Sequence, residues 1–284
     1  MGIKQCMINL AKQIYLNTPY KTLRKWYFAM FCALVRNRVV ETSVDGINYR
    51  LNLGEIIDVG VYLNRYEPGV TRAIEKLCRR GMTVLDIGAN MGAHALRFAK
   101  VVGESGTVFA FEPTNYAYKK LVDNIAINRF KNISAIKMAL SDGRPSRRVM
   151  RCVCSWPTRG KSVIEESLVD CIKLDDWCKR ERVHHIDLIK LDVDGNEQSV
   201  ITGGRCLLES EHPMLLLEVW GPNFAEPTSN PYSSLQKLGY NFANVDTGYE
   251  YRSISELKRE VSCSDGGLLD FSTNVVARFD KGKH

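Results

Sequence analysis

Residues 84–92 read VLDIGANMG, a short apolar run that suits a buried strand, followed by a loop with glycine at 88 and 92 that opens a helical stretch over about 91–102. A strand that turns on glycine into a helix lets backbone approach a ligand at the helix N-terminus, where open amides and the peptide dipoles face outward. Dinucleotide-binding turns favour G-x-G-x-x-G, whereas three residues separate Gly88 from Gly92, with Asn90 where the middle glycine would lie. A pyrophosphate fits that turn poorly, and Asp86 just before it would repel one. The same carboxylate suits a ligand carrying an ammonium or sulfonium group, which points to S-adenosylmethionine.

On either side of this turn the alternation recurs. A helix is expected over about 69–80 before it; after it come GTVFAFEP (106–113), a helix over about 114–128, ISAIKMAL (133–140), IDLIKLDV (186–193), a helix from about 197 and PMLLLEVW (213–220). YNFANV (240–245) and TNVVARF (273–279) supply two closing strands. Strands alternating with helices predict an α/β fold whose parallel sheet is covered on both faces. Upstream, Asp45-Gly46 between β-type segments predicts a hairpin within 39–66 that leads into the domain as a cap. The expected organisation is an N-terminal helical extension and hairpin cap over 1–66 and a ligand-binding domain over 67–284.

In such a sheet, residues just past the carboxyl ends of the strands share one crevice. Glu112 ends the second strand, 20 residues after Gly92, where a carboxylate can accept from both hydroxyls of an adenosine ribose. Ser141-Asp142 ends the third; Asp142 can accept from an adenine amine, or the pair can simply be a turn. In IKLDVDGNE (189–197), Lys190 and Asp192 alternate with Ile189 and Leu191 and so point to one side, and Asp192 and Asp194 reach the same crevice. They read as the acceptor side, with a simple Lys190 ion pair as the alternative. Glu197, three residues after Asp194, reads as the second half of a capping box, and His94 as a packing position on the helix after the glycine turn, with a base near the transferred methyl as its alternative.

Taken together, Tyr66-Glu67-Pro68, DIGANMG (86–92), Glu112, Ser141-Asp142, KLDDW (173–177), IKLDVDGNE and PMLLLEV (213–219) resemble the FkbM family of S-adenosylmethionine-dependent methyltransferases. The resemblance runs from about 60 to 220, with a looser echo at TNVVARF. It implies a Rossmann-like class I methyltransferase fold, a seven-stranded mostly parallel sheet with the last strand antiparallel. It also implies S-adenosyl-L-methionine held by Asp86, Gly88, Ala89, Asn90, Gly92, Glu112, Ser141 and Asp142, and methyl transfer to a hydroxyl on a sugar, glycan or related natural product. Lys190, Asp192, Asp194 and Glu67 are the catalytic candidates, Glu67 because the family carries a Tyr-Glu pair there. The alternatives are a nicotinamide-dependent oxidoreductase, argued against by the glycine spacing, and a methyltransferase acting on nucleic acid or protein.

A magnesium ion held by Asp192 and Glu218 is a competing account that is not favoured, because no second acid adjoins Glu218 to complete an oxygen set. Between 143 and 163 the chain looks irregular and basic, with Arg144, Arg147, Arg148, Arg151, Arg159 and Lys161; it reads as an insertion near the site, either touching an anionic acceptor or merely solvated. Nine cysteines without a C-x-x-C pair predict reduced thiols in a cytoplasmic setting. Residues 1–40 hold seven basic side chains and no acid, while the rest of the chain is neutral. Their apolar run, WYFAMFCALV (26–35), is too short to span a bilayer and reads as a packed helix or as a peripheral contact with the inner membrane surface. Aromatic residues are not interleaved with the basic ones, so no nucleic acid partner is expected.

Overall fold

The computed structural model describes residues 3–17, 21–35, 38–158, 160–219, 221–224, 230–263 and 273–280. Two helices, α1 (Ile3–Asn17) and α2 (Lys21–Val35), touch one another ahead of a hairpin of β1 (Val39–Val44) and β2 (Ile47–Asn52). Asp45 and Gly46 both take positive φ, 50° and 72°, as a two-residue hairpin turn requires. In β2, Ile47, Tyr49 and Leu51 are buried while Asn48 and Arg50 face outward. The inward row packs with Phe31 and Val35, with the short helix α3 (Ile56–Tyr62), and with Met91 and Leu96 of the main body. The hairpin thus lies where it was expected, but the expected cap also contains α3.

The main body runs α4 (Pro68–Leu77), β3 (Thr83–Ile87), α5 (Ala93–Val102), β4 (Thr107–Phe111), α6 (Asn115–Asn128) and β5 (Ile133–Ile136). It continues through β6 (Ala139–Leu140), β7 (Ser146–Ser155), β8 (Val163–Ile172), α7 (Leu174–Glu181), β9 (Leu188–Leu191), α8 (Glu197–Gly203), α9 (Arg205–Glu211) and β10 (Met214–Val219). The last elements are α10 (Pro231–Lys237), β11 (Tyr240–Asn244), β12 (Glu250–Tyr251), α11 (Ile254–Cys263) and β13 (Thr273–Phe279). The principal sheet has the order β12-β11-β13-β10-β9-β3-β4-β5. Strands β5, β4, β3, β9 and β10 are parallel, and β13 runs antiparallel to both β10 and β11. This is the class I methyltransferase arrangement, with one strand more than expected: the two-residue β12 extends the edge beyond β11.

Alternate residues of each central strand enter different cores. Leu85, Ile87, Ile189, Leu191, Leu215 and Leu217 pack on one face, and Val84, Leu188 and Leu216 on the other. Chain progress along the sheet reverses at β3, which leads outward to β4 and β5 while β9 returns to its other side. A crevice opens beyond the ends of these two strands, where such a switch places it.

The stretch 143–163, expected to be irregular, forms β7 and, with β8, a long antiparallel hairpin to which β6 adds a third strand. The sequence shows no strand alternation because Arg147, Arg148 and Val149 are consecutive and all exposed. Beyond β7, the Ile56 amide donates to the Trp156 carbonyl at 2.8 Å and the Thr158 amide to the Gly54 carbonyl at 2.8 Å. The N-terminus of α6 holds both partners of this junction. Glu165 of β8 accepts from the Asn115 and Tyr116 amides at 2.9 and 3.0 Å, and Glu55 bonds the Tyr116 hydroxyl and, at 3.1 Å, Lys120.

Candidate cofactor and acceptor site

The crevice is a cavity of about 980 Å³, within the range of ligand sites. Its floor is the loop from β3 to α5, where Gly88, Asn90 and Gly92 all have positive φ, 87°, 47° and 94°. At Gly88 a Cβ would stand 1.7 Å from the carbonyl oxygen of Asp192, so only glycine lets this loop cross the loop after β9. The Ala89 amide donates to the Phe111 carbonyl at 2.9 Å and the Asn90 amide to Glu112 Oε2 at 3.0 Å. Glu112 Oε1 accepts from the Thr114 amide and hydroxyl at 2.9 and 2.6 Å, so one carboxylate ties the ends of β3 and β4 together. Burial raises the Glu112 pKa, against the pull of these hydrogen bonds.

Asp86, Gly88, Ala89, Asn90, Glu112 and Ser141 all line this cavity, as expected of a cofactor floor. Both carboxylate oxygens of Asp86 and the hydroxyl of Ser141 are buried without a hydrogen-bond partner. Buried polar atoms are nearly always satisfied, so three such oxygens in one cavity fit a ligand that brings donors. Two expected residues stand elsewhere. Gly92 lies behind the lining at the start of α5, where a Cβ would meet Leu121 at 2.8 Å. Asp142 is exposed and off the lining; the chain turns away after Ser141, and the Asp142 amide donates to Ser199 Oγ at 3.1 Å.

On the other side, Asp86 and Lys190 are register neighbours across β3 and β9, with Lys190 Nζ 3.7 Å from Asp86 Oδ1 and 2.9 Å from Asp192 Oδ2. Burial works against the ammonium, but Asp192, Asp86 and Glu67 outweigh it and hold Lys190 protonated, its pKa raised. Asp192 is also desolvated, yet the Lys190 charge and a hydrogen bond with Glu218 keep it below the usual carboxylate value. The ion pair anticipated at Lys190 is present, and the amine is not a base at neutral pH. Asp194 stands at the cavity mouth in the left-handed region, φ 51°, and is pushed up to about 6 by partial burial of its carboxylate and by repulsion from Asp192 and Glu197.

The expected Asp194–Glu197 capping box does not form, because Asn196 takes the N-cap position. Glu197 is buried and accepts instead from the Val193 and Gly195 amides, both at 3.2 Å, and from Asn223 Nδ2 at 2.8 Å. Its role is structural, as anticipated, but it braces the turn rather than capping the helix. Glu67, with φ 37°, begins α4 and lines the cavity, its Oε2 2.6 Å from His94 Nε2. His94 is buried and its ring stacks on Tyr66 at a centroid distance of 5.3 Å. Burial and the carboxylates of Glu67, Asp192, Glu218 and Asp86 raise the Tyr66 pKa well above its ordinary value, so its phenol stays a donor.

Tyr66 and His94 were not among the expected site residues; the Tyr-Glu pair before α4 was a signal for Tyr66, and none in the local sequence pointed to His94. Arg148 and Arg151 of β7 line the opposite wall, whereas Arg147 points to Asp170, Nε to Oδ1 2.6 Å. Arg159 lies outside the described residues. Among the described residues no three His, Cys, Asp or Glu side chains are grouped to hold a metal ion.

The sequence pattern of the Methyltransferase FkbM domain matches residues 86–249. Over 143 aligned residues the chain is 32% identical to 2-O-methyltransferase NoeI of Sinorhizobium fredii, covering 43% of this chain and 57% of NoeI, less than two thirds of that protein. It is 25% identical over 182 residues to methyltransferase sdnD of Sordaria araneosa, covering 51% and 68%. Among solved structures, methyltransferase FkbM of Methylobacillus flagellatus aligns with a TM-score of 0.46 at 16% identity, covering 72% of this chain and 45% of that one. Aeropyrum pernix fibrillarin, solved with S-adenosyl-L-methionine, aligns with a TM-score of 0.43 at 13% identity, covering 84% and 82%.

Proposed function

The chain belongs to the FkbM methyltransferase family, and on that premise we propose that its crevice binds S-adenosyl-L-methionine and directs methyl transfer to a hydroxyl of a sugar, glycan or related natural product. The unsatisfied oxygens of Asp86 and Ser141, facing one cavity beside Glu112, carry the reading. Asp86 would take the ligand's cationic end, Glu112 its ribose hydroxyls and Ser141 an adenine donor, while Gly88 to Asn90 bring backbone close. The bound cofactor supplies a methyl group on a sulfonium, an electrophile that a hydroxyl oxygen can displace.

What remains for the chain is to align that oxygen and receive its proton. As the new C–O bond forms the hydroxyl proton becomes strongly acidic, so an ionised carboxylate suffices as acceptor. Asp192 fits this role, since Lys190 holds it charged and oriented. Tyr66, as a donor, and Glu67, held by His94, stand on the same cavity lining and position the acceptor. Arg148 and Arg151 on the β7 wall favour an acceptor that also carries an anionic group. The relation to NoeI, by its name a 2-O-methyltransferase, supports oxygen as the methylated atom.

Calorimetric titration of S-adenosylhomocysteine into chelator-treated protein, with NAD as control, tests the cofactor half. Binding of the former alone is the expected result. Binding of NAD instead would overturn the reading in favour of an oxidoreductase.

A further inference from the structure

Helix α2 has two unlike sides. Phe28, Phe31, Cys32 and Val35 are buried against the cap, whereas Leu23, Trp26 and Met30 are 48%, 79% and 52% exposed, with Ala29 and Ala33 also exposed. Positions 23, 26, 30 and 33 recur at helical spacing and form one stripe along the helix. On α1, which touches α2, Leu10 is 61% exposed and Ile14 stands exposed one turn on, while Ile8 and Tyr15 are buried. Single exposed apolar residues are ordinary, but a row with a tryptophan at its centre on adjoining helices marks a surface that something covers.

Charge selects the occupant. The first 40 residues hold Lys4, Lys12, Lys21, Arg24, Lys25, Arg36 and Arg38 and no acid. A second copy meeting this face would bring two such arms together, and like charges would oppose it. A surface of anionic lipid gains from both the apolar stripe and the charge. Among the described residues no helix is long and apolar enough to cross a membrane, and α2 has only 15 residues, so the stripe suits lying along an interface. We propose that the outer face of α1 and α2 docks on an anionic membrane surface, with Leu23, Trp26 and Met30 entering the headgroup boundary. The arm is fixed to the body: α1 and α2 share a core with Met91 and Leu96, and Lys12 Nζ donates to the Tyr62 carbonyl at 2.7 Å. Docking therefore orients the whole molecule rather than tethering it loosely.

Sedimentation of the full chain with phosphatidylcholine vesicles, with and without phosphatidylglycerol, tests this independently of any catalytic activity. The protein is expected to pellet with the anionic vesicles only and to be released by salt. Joint substitution of Leu23→Glu, Trp26→Glu and Met30→Glu should weaken pelleting by about tenfold or more while leaving Tm and S-adenosylhomocysteine binding unchanged. Should that variant fold poorly, Lys21→Glu with Arg24→Glu and Lys25→Glu must give the same loss. No pelleting with anionic vesicles would overturn the proposal. So would a concentration-dependent dimer that the stripe variant abolishes, which would assign the face to a second copy.

Discussion

The two loops that meet in the crevice treat their polar groups in opposite ways. After β3, backbone is held by glycine and by Glu112, while Asp86 is left without a hydrogen-bond donor. After β9, the polar groups already have partners: Lys190 donates to Asp192, and nearby Glu67 is hydrogen-bonded to His94. One half is preorganised and waiting for a partner, the other already balanced. A ligand on the first gains hydrogen bonds outright, whereas an acceptor on the second must compete with bonds that exist.

Gly88→Ala attacks the point where the halves interlock and should have the largest effect. With a Cβ 1.7 Å from the Asp192 carbonyl and φ at 87°, a loss of about 5 kcal/mol or failure to fold is expected in urea unfolding. Near-normal stability would show that the loops move independently.

Lys190→Met removes the cation that the balanced half shares with Asp86, at a cost of about 3–5 kcal/mol near neutral pH. Without it the buried Asp86 and Asp192 carboxyls have folded pKa values above their unfolded ones. Their favourable contribution is then full at low pH and lost as pH rises, so the deficit should shrink in acid. A deficit independent of pH would mean the lysine acts through packing alone.

Glu112→Ala tests the preorganised half. Loss of the carboxylate that receives Asn90 and Thr114 should weaken S-adenosylhomocysteine by about 10–100-fold in calorimetry, and unchanged affinity would move the cofactor elsewhere. Asp194→Asn is the mildest. The folded Asp194 pKa of about 6 lies above the ordinary value, so its contribution to stability is present in acid and lost as pH rises through about 6. The asparagine variant should be more stable by about 1 kcal/mol at alkaline pH, after allowance for solvent screening at this exposed site. The gain should diminish toward acid; a constant gain would assign it to asparagine's tolerance of positive φ.

The sheet was legible because its central strands are short apolar runs punctuated by glycine and acids at their carboxyl ends, and each run enters two cores. Strand β12, with two residues, is too short to leave a pattern, and β7 was obscured because it does not alternate: Arg147, Arg148, Val149 and Arg151 are all exposed. The cofactor floor was legible because Asp86, Gly88, Asn90 and Glu112 act through loops close in sequence. His94, stacked on Tyr66 and bonded to Glu67, required tertiary contact between α4 and α5 that no local spacing announces. Asp142 shows the converse: a strand-end acid in the expected place, carried outward by the turn that leaves Ser141 inside.

The junction of Gly54–Ile56 with Trp156–Thr158 joins segments far apart in the chain by two backbone hydrogen bonds, and the first turn of α6 grips both through Glu55 and Glu165. Parting those bonds is a local fluctuation that leaves the central sheet intact. Ile56 and Trp156 also line the cavity, so opening of this seam reshapes the ligand site without unfolding the protein. Amide exchange at Ile56 and Thr158 reports that local opening, apart from the stability of the whole chain.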